Sequence, residues 1–229
     1  VSRPYTIAEL LWPAPGSDLA KAVNSTSKRS LINRGSRYDL NLFKNERARI
    51  DQELKEQGYY YFSADHLLFR ADTTLGNKTV RLRLTIKEDV PEKATVPYRI
   101  NEVYIHSSHR LNRNGVPAAD TLSVNGYNYI QRDSIFKPEA ITRAVTVKKN
   151  ELYSRKAHSS TISRLMSMGM FHYVNLKFSE TIIDGEGKLN ASIFLTPMKK
   201  RTVQMEIQAV TKSNNYTGPA LTLSYRNRK

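Results

Sequence analysis

Histidines 66, 106, 109, 158 and 172 are the side chains of this sequence best suited to proton transfer or metal ligation. His106 and His109 stand three apart in a predicted loop. No acidic residue joins them at metal-ligand spacing, so the pair predicts no metal centre. The chain has no Cys, which removes thiol nucleophiles, thiolate metal sites and disulfides. Asp184 and Glu186 alternate with Gly185 and Gly187, a pattern that reads as a solvated turn and not as a paired acid and base. There is no Walker phosphate loop, no dinucleotide fingerprint and no Gly-x-Ser-x-Gly elbow. The sequence therefore predicts no catalytic residues, no metal and no cofactor.

A formal charge of +15 on 229 residues suggests an anionic partner. The excess is spread, however, at +4 over residues 1–94, +6 over 95–199 and +5 over 200–229. The last thirty residues are a basic tail behind two mildly basic segments. Tyr59, Tyr60 and Tyr61 could stack nucleic-acid bases, but aromatics after a helix-ending glycine more often pack a sheet. No membrane-length apolar run occurs.

The elements follow from periodicity. Residues 159–178 show Ile162, Leu165 and Met166 at helical spacing, a stop at Gly169, and then strict alternation. Val174, Leu176 and Phe178 share one face, and Tyr173, Asn175 and Lys177 the other. Glycine tolerates the left-handed conformation that ends many helices. The same handover occurs earlier. A strand over 5–12 precedes a helix capped by Ser17, with Leu19, Ala22 and Val23 on one face. Asp39 caps a second helix bearing Phe43, Arg47, Ile50 and Leu54, which ends at Gly58. An extended aromatic segment over 59–71 leads to a strand with Val80, Leu82, Leu84 and Ile86 on one face.

The order restarts after a linker over 91–97. A strand over 98–105 is followed by an insertion, 106–135, in which Asn125-Gly126 predicts a two-residue hairpin turn. Pro138 opens a helix with Ile141, Ala144 and Val145 inward. Residues 155–168 form the second helix, and Leu189, Ala191, Ile193 and Leu195 mark the last strand. The fold class is α+β. Two copies of strand, helix, helix, strand, strand each predict a three-stranded mixed sheet with two helices on one face. In each, the first strand pairs in parallel after its helical crossover. Strand-helix-helix-strand order also occurs in KH domains, but no Gly-x-x-Gly loop joins the helices here.

The repeated residues are specific as a set. The second copy carries Tyr98-x-Ile-x-x-Val103, Phe136-x-Pro-x-x-Ile141, Leu152-Tyr153-Ser154 and Arg164-Leu165-x-x-x-Gly-x-Phe-x-x-Val174. The first carries Tyr5-x-Ile7, Gly35-x-x-Tyr38, Glu46-Arg47-x-Arg49-Ile50 and Gly58-Tyr59-Tyr60-x-Phe62. Over about residues 5–199 the chain resembles polypeptide-transport-associated (POTRA) domains of the outer-membrane assembly family that includes BamA and TamA, in a TamA-like arrangement. The tail, with Leu223-Ser224-Tyr225-Arg226-Asn227, is similar to the first hairpin of that family's barrel.

The resemblance implies domains at 1–94 and 95–199, a truncated barrel start at 200–229, and a natural chain that continues. It leaves the long insertion unexplained. It implies a periplasmic location in an outer-membrane protein of a Gram-negative bacterium, and no nucleic acid. The implied partners are unfolded outer-membrane or secreted proteins, the chain's own membrane barrel, and an inner-membrane or periplasmic assembly partner. Its function would be the capture of extended clients by strand addition at the open edge of each copy. The expected edge residues are His66, Leu68 and Arg70 in the first copy, and Tyr173, Asn175 and Lys177 in the second. The alternatives are a structural spacer or partner-docking module, or a basic nucleic-acid-binding protein.

Overall fold

The computed structural model describes residues 4–107, 120–131, 136–183, 186–198, 201–211 and 217–227. The first unit runs β1 (Thr6–Leu11), α1 (Asp18–Ser25), α2 (Leu40–Glu56), β2 (Leu67–Asp72) and β3 (Thr79–Ile86). Its sheet order is β1-β3-β2, with β1 parallel and β2 antiparallel to β3. The helix caps are those the sequence predicts. Ser17 accepts a hydrogen bond from the Ala20 amide and Asp39 from the Asn41 amide. Leu19, Val23, Ile50 and Leu54 meet Phe62, Leu67 and Leu84 in one buried cluster. Residues 59–66, expected to be extended, instead turn twice before β2 begins at Leu67.

The second unit runs β4 (Arg99–His106), β5 (Asp120–Val124), β6 (Tyr127–Gln131), α3 (Pro138–Ala144), α4 (Arg155–Ser167), β7 (Phe171–Ile183) and β8 (Glu186–Pro197). Strands β4, β8 and β7 reproduce the first unit's topology, with β4 parallel and β7 antiparallel to β8. The insertion adds two strands, so the sheet has five and reads β5-β6-β4-β8-β7. Asn125 and Gly126 both have positive φ, 51° and 81°, and close the β5–β6 turn as expected. Strand β6 then pairs in parallel with Tyr104 to His106 of β4, and buries Tyr127 and Tyr129.

Several local expectations shift. Met166 lies on the surface of α4, and the buried positions are Thr161 and Leu165. His106 closes β4, Glu186 and Gly187 belong to β8, and the linker holds a short turn with Ala94 buried. His109 and Asp184 lie outside the described residues. Beyond β8, β9 (Arg201–Thr211) and β10 (Thr217–Asn227) form an antiparallel hairpin that makes its own two-stranded sheet.

Leu165 is fully buried among Ile141, Phe171 and Val174, whereas Asn175 is on the solvent side of β7. Leu165→Asp should unfold the second unit, because a buried unpaired charge costs several kcal/mol. Asn175→Asp should shift the melting temperature little. Thermal melts followed by circular dichroism check both.

Candidate functional site: open sheet edges and the joint between units

A sheet edge can accept a new strand only where its backbone groups are free. Both units cover part of the outer side of their first strand. In the first, the Gly35 amide donates to the Ile7 carbonyl, the Ile7 amide to Ser36, and the Tyr38 amide to Tyr5. Past Leu11 the chain meets Pro13, which has no N–H, and the Pro13 carbonyl accepts from the Asn24 side chain at 2.8 Å. In the second, Ile100 exchanges bonds with Glu151 and Asn150, and β6 covers Tyr104 to His106 of β4. The strands left with an open side are β2 and the end of β1, Glu9 to Leu11, in the first sheet, and β5 and β7 in the second.

The expected edge residues distribute as follows. Tyr173, Asn175 and Lys177 lie on the solvent face of β7, opposite Thr196, Phe194 and Ser192. Tyr173 is 52% exposed. Leu68 and Arg70 lie on the outer face of β2, opposite Thr85 and Arg83. His66 is not in the strand. It ends the short turn before β2, and its Nδ1 accepts from the Ser63 amide at 3.2 Å. The sequence did not reveal the β5 edge, because the insertion's destination depends on a long-range pairing.

The second feature is the joint. Helix α2 is 17 residues long and α4 is 13, and the extra turn of α2 carries Glu56 to the second unit. The Glu56 carboxylate accepts from the Ser154 hydroxyl at 2.6 Å and from the Lys156 amide at 2.9 Å, so it caps α4 from the neighbouring unit. Gly58 follows at φ +97°, its carbonyl accepting from the Tyr98 amide. A side chain there would press Leu152, Pro97 and the Tyr98 carbonyl at 3.0 to 3.2 Å. The tyrosine run then divides. Tyr59 packs into the first core, while Tyr60 and Tyr61 pack against the second. The Tyr60 ring lies 4.8 Å from Tyr153 and 5.5 Å from Phe178. Tyr61 stands edge-on to Tyr98 at 5.2 Å and carries Lys93 over its face. The tyrosines that could have stacked bases are thus spent on protein.

Charge supports the joint. The Glu180 carboxylate of β7 accepts from Tyr98 at 3.1 Å and Tyr61 at 3.3 Å. Burial, with the Glu180 bond adding, pushes the Tyr98 hydroxyl up to about 12, so it stays a donor. Arg155 reaches Asp51 of α2 at 3.6 Å. In the first unit Glu46 is wholly buried. Burial alone would raise its carboxyl, but the bonds from Arg49 and the Leu31 amide outweigh it and hold the group below its ordinary value. His158 packs on Phe178 beside the joint, and burial, then Arg155, lowers its titration below 6.5. Among the described residues no cluster of His, Asp and Glu could hold a metal.

Two predictions follow from this joint. Tyr60→Ala should split one unfolding transition into two, since aromatic contacts of this kind couple by about 0.5–1.5 kcal/mol each; calorimetry reads it. His158 is held neutral in the fold. Its contribution to stability is therefore full above pH 6.5 and falls as pH drops through that value toward its lower folded-state value. Denaturant titrations should show this loss, and His158→Gln should flatten it.

No protein-family model matches the chain. A crystal structure of BamA from Haemophilus ducreyi lacking POTRA domains 1–3 superposes with a TM-score of 0.56 at 11% identity. The match covers 90% of this chain and 32% of that one, so the chain spans about a third of that structure's length. BamA POTRA domains 3–5 from Haemophilus influenzae match over 86% of this chain and 62% of theirs, at 11% identity and a TM-score of 0.47. By sequence, mitochondrial elongation factor G of Drosophila virilis is 28% identical over 135 residues, which is 58% of this chain and 17% of that protein. That identity and coverage are too low to assign a family. The superposition on the Haemophilus ducreyi structure shows that this chain shares the fold of the part of that BamA structure it covers.

Proposed function

We propose that the chain is the periplasmic POTRA region of an outer-membrane assembly or translocation factor. In this reading β7 and β2 bind extended segments of unfolded clients by strand addition and hold them beside a membrane β-barrel. The carrying observation is the pattern of edges. Both units cover part of the first strand's outer side, the first over Tyr5 to Ile7 and the second at Ile100 and over Tyr104 to His106, and leave the strand at the other side of the sheet, β2 or β7, open along its length. An edge bonds through its backbone and so accepts many sequences, which suits a protein with many clients. Binding of this kind involves no covalent chemistry.

The hairpin supports the barrel. Val203, Met205 and Ile207 stand directly opposite Tyr225, Leu223 and Leu221, and all six side chains are at least 60% exposed. Gln204, Glu206, Thr222 and Ser224 alternate with them on the other face. Each buried side chain of this size is worth about 1.5–3 kcal/mol, so water costs this face on the order of 10 kcal/mol. Strands of 11 residues fit the roughly 9–11 that cross a bilayer when tilted. Alternation of apolar and polar faces is the pattern of a barrel wall. We place β9 and β10 in that wall.

The joint favours a second reading, in which the two units form a spacer of fixed geometry that docks an inner-membrane or periplasmic partner. One experiment separates the two. A photo-crosslinking residue at position 175 should capture a range of outer-membrane clients in cells. Capture of one fixed protein, or of none, would favour the spacer.

A further inference from the structure

The two open edges are chemically unlike. On the outer face of the first sheet the cross-strand rows are Glu9-Arg81-Asp72 and Leu11-Arg83-Arg70, with Thr85 beside Leu68 in the next. Arg81 is paired with Glu9. Asp72 is held by the Thr74 hydroxyl and amide. Arg83 and Arg70 stand directly opposite each other and both are exposed; Asp72 in the next row acts on Arg83 and Arg70 shares a surface groove with Glu88 and Asp89, but neither arginine forms a salt bridge with a described residue. Like charges facing across a strand pair destabilise it, and Asp72 offsets Arg83 only, so an anion added beside Arg70 would relieve the row. Arg70 is the outermost member, and the next place in the row belongs to whatever strand adds to β2. A residue directly opposite on that strand would share the face of Arg70, with its Cβ about 5 Å away. The guanidinium fork suits a carboxylate.

The β7 edge shows no such code. Asn175 and Lys177 sit beside Phe194 and Ser192, and the like-charge pair of this sheet, Lys188 facing Arg99, lies inside it, with the uncharged Thr181 at the edge of that row, along a strand of 13 residues against 6 in β2. We infer that β2 selects extended segments carrying an acidic residue in register with Arg70, whereas β7 accepts segments with little regard to sequence. The occupant of β2 is an acidic protein strand, with an apolar residue opposite Leu68, two positions from the carboxylate. A second copy of this chain paired so that Arg70 meets Arg70 is disfavoured, because it would bring another Arg70 from β2 and another Arg83 from β3 to the row. The inference rests on the strand-addition reading above.

The test uses the full chain and two short blocked peptides of alternating Val and Thr, one with Glu and one with Lys at the centre. Hydrogen exchange of the β2 and β7 amides reports each edge separately. At low salt the Glu peptide should protect β2 at about fivefold lower concentration than the Lys peptide, a gap that narrows as salt rises. Arg70→Glu, at an exposed position, should reverse the order at β2 and leave β7 indifferent. If both peptides protect β2 equally, or Arg70→Glu leaves the order unchanged, charge selection is wrong and strand addition stands. If only β7 is protected, β2 is not a site and the inference fails. If neither edge is protected by either peptide, strand addition itself fails and takes the inference with it.

Discussion

The joint between the two units is the constraint on which the rest depends. Its parts come from the end of one helix and the few residues after it. The last residue of α2, Glu56, caps α4, Gly58 lets the backbones touch, and Tyr60 and Tyr61 enter the second core. Each contact is modest alone. A neutral hydrogen bond contributes about 1 kcal/mol and a charged one about 1.5–3. They act together because one short segment positions them all. Strand β7 joins the system through Phe178 and Glu180, so the strand with the longest open edge is also the one that grips the first unit.

The two copies solve the edge problem differently. The first covers Tyr5 to Ile7 with the backbone of residues 35–38 and follows β1 with a proline whose carbonyl an asparagine side chain holds. The second pairs β4 with the insertion hairpin, which moves the free edge to β5. An unpaired edge invites aggregation. Covering part of the first strand while leaving β2 or β7 open along its length is therefore a selective exposure, and both units show it. The exposed apolar face of β9 and β10 is a liability of the same sort in water, and it is resolved if that face meets lipid.

Much of this was legible in the sequence, and the reason is locality. Ser17 and Asp39 cap their helices through bonds that span a few residues, and Asn125-Gly126 closes its turn from within. The parallel first strand followed from the helical crossover. What escaped was non-local. Nothing near residue 127 says that β6 will run beside β4. Glu46 reads as a surface helix residue until Arg49 and the Leu31 amide close over it. Met166 fits the helical stripe, but Thr161 takes the buried place. The tyrosines after Gly58 were legible as packing residues, though not as packing for the other unit. His66 was placed on the edge by its nearness to Leu68, and its role in the preceding turn depends on the Ser63 amide.

The most direct test of the account is a distance between the units. The chain has no cysteine, so Thr73→Cys and Ser123→Cys, both exposed, place one spin label on each unit without background. Pulsed electron–electron resonance should give one narrow distance distribution, unchanged by moderate salt. A broad or multi-peaked distribution would mean that the units swing freely, and would contradict a joint that fixes how the edges are presented.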